Sequence, residues 1–309
     1  MYKRLELHNH TTESDSSLTP MELIEFMHRD QVDAFAITDH NTISGHKKIE
    51  KLLKETKLPI SCIYGMEYTT YYGHILCLNL KEYVSWENIN LHQPELLFKA
   101  AKEKGALVGI AHPFSYGDPF ARGCRFDMKV TDFNSFDFIE IFNNPEPLHE
   151  VNERGLLWWE ELVLQGYPLA FTCGMDLHGR WDMKNQYATF IEGSPAGDIE
   201  NELETALNQK KTWISKGPLL LCKEETVKES LTFTLEETGK PGFLHDKKDF
   251  YYLTLRTKKG TLTKEFTAEG TVTVTIKELD GETIIIPKLY QKDTSIENLV
   301  AVAPVIRLN

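Results

Sequence analysis

From its start to about residue 218, this 309-residue chain alternates short apolar runs with helical patterns, and most of the runs end in a histidine or a carboxylate. Such alternation is how the βα units of a parallel sheet or barrel read. The runs cover residues 4–7, 34–38, 60–64, 106–111, 136–142 and 168–173. The first helix has its start signal in Thr19-Pro20-Met21-Glu22: Thr19 caps, Pro20 takes the first helical position and Glu22 closes a capping box. Further helices are expected over 45–55, 94–104, 148–164 and 198–210.

After Lys216-Gly217-Pro218 the helical period gives way to strict alternation, as in residues 231–235 and 272–276. Residues 250–255 and 300–308 supply more strands, and Asp280-Gly281 has the composition of a two-residue hairpin turn. Two domains follow: 1–218, and a small all-β, sandwich-like domain over 219–309.

The ends of the apolar runs carry the chemistry. His8-Asn9-His10 follows the first run, and alternate residues of an extended chain project to one side with Cα atoms ~6.7 Å apart, so two imidazoles can grip one cation. Later runs lead into Thr38-Asp39-His40, Gly65-Met66-Glu67, Ala111-His112-Pro113 and Met175-Asp176-Leu177-His178. Asp15 lies just after the first histidine pair, and His74 opens a strand that can fold back beside Glu67. Any one of these could be a helix cap or a core histidine. As a set, they converge, because parallel strands end on the same face of a sheet or barrel. His28, His46, His92, His149 and His245 lie in or before helices or in the β region and are left out. Mixed histidine and carboxylate ligands suit zinc, manganese or iron rather than an all-oxygen calcium cage. Two or more such ions ~3.5–4 Å apart support hydrolysis of esters, above all phosphates.

Rival motifs are absent: GxxxxGK[ST], GxGxxG, HExxH and GxSxG do not occur. The net charge of −12 makes nucleic acid an unlikely partner, since duplex binding rests on Lys and Arg neutralising phosphates. Five dispersed cysteines without a CxxC pair fit reduced thiols, and no apolar stretch approaches a membrane span, so a cytoplasmic location without membrane association is expected. The sequence leaves the oligomeric state open.

In order and spacing, these motifs resemble the PHP (polymerase and histidinol phosphatase) metallohydrolases over about residues 3–218. The resemblance implies an α/β fold, a distorted (β/α)7 barrel of PHP type holding two or three divalent metal ions (Zn, Mn or Fe). In the trinuclear arrangement it implies, His8, His10, Glu67 and Asp176 hold the first metal. Glu67 bridges to a second held by His74 and His112, and Asp15, His40 and His178 hold the third. Met175 stands where relatives often have serine. Residues 206–218, followed by a β domain, are similar to the carbaryl-hydrolase-like branch, some of whose members cleave carbamates.

The expected function is a metal-dependent phosphoesterase acting on a small phosphoester, a phosphomonoester or nucleotide-like molecule, through a metal-activated hydroxide. Glu67 and Asp176 would be the catalytic carboxylates, and Arg122, Arg125 or Arg180 the cation that holds phosphoryl oxygens, with Lys216 ranked behind them. The alternatives are a carbamate or carboxylic-ester hydrolase and a metal-loaded, non-catalytic binding protein. A single-strand exonuclease is disfavoured by the acidic balance and by the lack of a basic, aromatic-rich stripe.

Overall fold

The computed structural model describes residues 1–87, 89–116, 121–143, 150–183, 186–225, 229–240 and 250–308. Residues 148–149 of the expected fourth helix, and with them His149, lie outside the described residues, as does His245.

Strands β1 (Tyr2–Glu6), β2 (Ala34–Ile37) and β3 (Ser61–Thr70) are parallel neighbours, linked by helices α1 (Pro20–Arg29) and α2 (Ser44–Thr56). At the start of α1 the expected box is formed: Thr19 Oγ1 accepts the Glu22 N–H, and Glu22 accepts the Thr19 N–H. Thr19→Ala is expected to destabilise the protein by about 1 kcal/mol, read as a shift in urea midpoint at constant slope.

From β3 the sheet departs from simple parallel units. Strand β4 (Gly73–Leu78) returns antiparallel on β3 and lies antiparallel to β5 (Leu107–Ile110), which follows α3 (Glu95–Lys102). The physical reason is length: only Tyr71 and Tyr72 join β3 to β4, far too few residues for a parallel crossover. Strands β6 (Phe138–Asn143) and β7 (Ala170–Gly174) resume the parallel order across α4 (Glu150–Leu164). Strand β8 (Ala188–Glu192) then pairs antiparallel with β1 and with β9 (Trp213–Ser215), which follows α5 (Ile199–Gln209). The sheet is therefore mixed, with β4 and β8 antiparallel to their neighbours.

This sheet curls until its ends meet, and hydroxyl groups join them. The Cys173 N–H donates to Thr189 Oγ1 (2.9 Å), which donates to the Cys173 carbonyl (3.0 Å), and Thr212 Oγ1 donates to the Phe171 carbonyl (2.7 Å). Inside the curl, Leu5, Ala34, Ile63, Leu76, Phe138 and Ile191 share one buried cluster with Leu203 and Leu207 of α5. Helix α5 thereby closes one end, where Asn79 at the end of β4 donates to the Glu200 carbonyl. The opposite end stays open.

Beyond residue 218, the described elements are strands and 3-10 turns. Strands β10 (Leu219–Glu225), β11 (Ser230–Glu236) and β14 (Val272–Thr275) form a three-stranded antiparallel sheet. Strands β12 (Phe250–Arg256), β13 (Thr261–Thr267), β15 (Ile284–Gln291) and β16 (Leu299–Val302) form a second antiparallel array, and β17 (Ile306–Arg307) pairs with β15. The two arrays share a core that includes Leu220, Phe233, Tyr251, Leu253 and Leu289. Strand β16 also pairs with β9, so one hydrogen-bonded sheet runs across residue 218. Asp280-Gly281 is not a hairpin turn. Both residues have left-handed φ values (52° and 71°), but they end a 3-10 turn between β14 and β15, which pair with other strands. Local composition supplied the dihedrals, while pairing was decided at long range.

Candidate metal centre

The open end of the curl gathers the C-terminal ends of β1, β2, β3, β5 and β7 and the start of β4. The strand-end loops continue the sheet pairing into the site: His10 N–H donates to the Leu177 carbonyl and Asn41 N–H to the Glu67 carbonyl, at 3.0 and 2.9 Å. Two of the residues presented there, His112 and Asp176, take left-handed φ values of 25° and 49°. Such conformations cost about 1–3 kcal/mol each for non-glycine residues and persist where surrounding contacts enforce them.

All nine metal-capable residues expected from the sequence come together in three overlapping groups: His8, His10, Glu67 and Asp176; Glu67, His74 and His112; and His10, Asp15, His40 and His178. Glu67, fully buried, sits at the centre. Its Oε1 lies 2.8 Å from His74 Nδ1 and 3.0 Å from His112 Nε2. Its Oε2 lies 2.9 Å from His40 Nδ1, 3.3 Å from His8 Nε2 and 3.4 Å from His10 Nε2. Asp176 Oδ1 is 2.9 Å from His10 Nε2, and Asp15 Oδ1 is 3.2 Å from His178 Nε2.

Electrostatics follow from that crowding. Burial alone would push the Glu67 and Asp176 carboxyls up, but the surrounding imidazoles, His8 foremost, outweigh it and hold both well below the usual carboxylate range. Burial pulls His112 down, yet Glu67, Asp176 and Glu140 raise it to about 9, and His8 is raised by Glu140, Asp176 and Glu67 in the same way. His10 is lowered, burial outweighing Asp176. The pocket is thus built to stabilise positive charge. Among the described residues, His8 Nε2 and His10 Nδ1 are buried and have no hydrogen-bond partner. Orphaned donor atoms of this kind, in a cluster of six imidazoles and three carboxylates, fit divalent cations with nitrogen and oxygen ligands.

The three arginines stand outside the cluster, each held by a carboxylate. Arg122 and Arg125 reach Asp127 at 2.7 and 3.6 Å, and Arg180 reaches Glu22 at 3.2 Å. Arg122 belongs to a 3-10 turn, Arg122–Cys124, at the rim of an open pocket of about 530 Å³. Asp15, His40, Asn41, Thr69, His74 and Cys124 line that pocket. Lys216 lies over the Tyr187 ring at 4.8 Å, where β9 meets β16.

Glu140 was missed by sequence reasoning. It lies on β6, almost fully buried, and contacts both His8 and His112. The signal was there: one acid in the apolar strand Phe138-Ile139-Glu140-Ile141-Phe142.

Residues 6–134 match the model of the PHP domain. An uncharacterized protein of Methanocaldococcus jannaschii is 28% identical over 190 residues, covering 61% of this chain and 71% of that protein. A second uncharacterized protein of that organism is 30% identical over 154 residues, covering 45% of this chain and 81% of its own length. The chain belongs to the PHP family. This PHP chain is also 30% identical over 133 residues to the 5'-3' exoribonuclease Rnm of Escherichia coli, a match covering 38% of the chain and 45% of that enzyme. Its fold is shared with a two-domain Bacteroides vulgatus protein containing a predicted PHP-like metal-dependent phosphoesterase, at 15% identity and a TM-score of 0.58 over 100% of this chain and 95% of the other. Seven of the nine clustered residues fall within the matched PHP segment; Asp176 and His178 lie beyond it. No helix among the described residues is long and apolar enough to cross a membrane.

Proposed function

We propose that this PHP protein is a metal-dependent phosphoesterase that hydrolyses a small phosphoester at a trinuclear centre, and the observation that carries the reading is the convergence of nine histidine and carboxylate side chains, Glu67 among them, in three overlapping groups. His8, His10, Glu67 and Asp176 would hold one ion, Glu67, His74 and His112 a second, and Asp15, His40 and His178 a third. When bound, divalent ions at such a site acidify water at neutral pH and neutralise charge on phosphoryl oxygens. Glu67, ionised and shared by the groups, sets their spacing, and Asp176 orients His10. At the pocket rim, Asp15 and His40 face the entering substrate. Arg122 and Arg125 share Asp127 at the surface, a contact worth ~0–1 kcal/mol, so a phosphate can draw either arginine away at little cost.

The curled sheet, read as the distorted barrel of this family, would form a catalytic domain over 1–218, with the strands of 219–309 as a second domain. The free cysteines are consistent with a cytoplasmic location. The carbaryl-hydrolase-like assignment rests on residues 206–218 and the β region that follows them, so carbamate cleavage is the alternative that the assay below must include.

A specific observation favours nucleotide or RNA substrates as a second reading. Tyr71, Tyr116 and Trp181, exposed by 66%, 44% and 53%, lie in the loops that follow β3, His112 and His178, interleaved with the three arginines. Exposed aromatics beside arginines suit base stacking and phosphate contact, and a short strand needs only this rim despite the net charge of −12.

The test is a panel of p-nitrophenyl phosphate, nucleoside monophosphates, a 5'-phosphorylated oligoribonucleotide and an aryl carbamate, offered to protein reloaded with manganese, zinc or iron. Metal-dependent phosphate release absent from a His8→Ala/Asp176→Ala control is expected. Mononucleotide release from the oligomer would favour the RNA reading, carbamate turnover alone would replace the phosphoester assignment, and no turnover would leave a binding protein.

A further inference from the structure

The side chain of Glu140 lies outside the nine ligands, yet it touches two of them. Its Oε1 is 2.9 Å from His8 Nδ1, and its Oε2 accepts the backbone N–H of His112 at 3.1 Å. The remaining demand on Oε2 is met by Asn143 Nδ2–H at 3.0 Å. Asn143 is itself fixed by α4: its N–H donates to Asn152 Oδ1 (3.1 Å), and Asn152 Nδ2 donates back to the Asn143 carbonyl (2.9 Å). Glu140, Asn143 and Asn152 are all buried. Gly174 permits the approach, because a Cβ there would stand 2.5 Å from His8 Cβ and 2.8 Å from Glu140 Oε1.

We infer that Glu140 is a positioning residue of the metal centre, holding the His8 ring in one tautomer and the His112 backbone in place so that both imidazoles face the cation sites. This inference rests on the metal-centre reading above. A carboxylate can only accept, so the hydrogen of His8 is on Nδ1, and Nε2 is the nitrogen left to bind a cation. Among the described residues that buried Nε2 has no hydrogen-bond partner, and it lies 3.3 Å from Glu67 Oε2 and 3.4 Å from Asp176 Oδ1. The bond to the His112 N–H secures a residue whose φ of 25° stands directly before Pro113, a conformation the chain would not hold unaided. One side chain thus serves two ligand groups from behind, as carboxylates that orient metal-binding histidines do. An acid in the middle of an apolar strand costs desolvation that a packing role alone would not require.

The experiment compares Glu140→Gln with wild type by zinc competition against a chelator, well below both melting temperatures, so that the dissociation constant reads the site and not the folded fraction. A glutamine offers one accepting end and one donating end, so it cannot accept from both His8 Nδ1–H and the His112 N–H. Zinc affinity is expected to fall ~10–100-fold. Histidine ¹⁵N spectra of zinc-loaded wild type, which need no variant, are expected to show His8 protonated at Nδ1 and bound through Nε2. Unchanged zinc affinity in Glu140→Gln, or His8 bound through Nδ1, would overturn the inference while leaving the metal centre standing. A wild type that takes up no zinc, manganese or iron would instead remove the reading beneath it, and this inference with it.

Discussion

Glu67→Gln is expected to lower metal-dependent turnover by about three orders of magnitude and to empty more than one ion from the protein, measured as kcat and as metal content per chain. The amide is nearly isosteric, so packing holds, but the charge that five imidazoles approach within 3.4 Å is gone. Losing about 4 kcal/mol of charge stabilisation corresponds to roughly 10³-fold in rate. Because Glu67 belongs to two groups of metal-capable residues, Oε1 facing His74 and His112 and Oε2 facing His8 and His10, the loss cannot be confined to one. A variant that kept its full metal content and most of its activity would show that Glu67 is not the shared ligand.

Glu160→Leu is expected to destabilise the protein by about 3–5 kcal/mol, the second large effect, without touching the metal-capable cluster. Glu160 on α4 is fully buried and pairs with Lys288 Nζ on β15 (2.6 Å) and with Arg256 on β12. Removing one partner of a buried pair strands the others without counter-charge. Burial would pull Lys288 down, but Glu160 and Tyr290 raise it above its ordinary 10.5. A cation raised on folding stabilises fully below its unfolded pKa and ceases to do so as pH passes the folded value, so the contact persists across neutral pH and fails only in strong alkali. Urea unfolding of metal-free protein gives the magnitude. In a Glu160→Leu/Lys288→Met double variant most of the loss should return, and a single variant as stable as wild type would contradict the clamp.

Alternation of apolar runs and helical stretches, the cap at Thr19, and histidines or acids at run ends are local properties, and each is found where its residues put it. Strand ends that share one direction must share one face, so Asp15 and Asp176, 161 positions apart, could be assigned to one site from the sequence. The return of the His74 strand beside Glu67 was legible, but the antiparallel placement of β8 between β1 and β9 was not, nor were the hydroxyl links between β7 and the β8–β9 pair. Asp280-Gly281 shows the reason in small: its dihedrals are those of a hairpin, yet its strands have other partners.

By itself, then, the sequence determined the alternation of strands and helices, the start of α1 and the nine residues able to hold metal, because period, capping and ligand chemistry act within a few residues. Only the tertiary structure decided that Glu140 stands behind His8 and His112, that α5 closes the curl, and that the C-terminal strands extend the same sheet through β9 and β16. Those facts are pairings between distant segments. Their energy depends on what each side chain meets after burial, and no local pattern of residues carries that information.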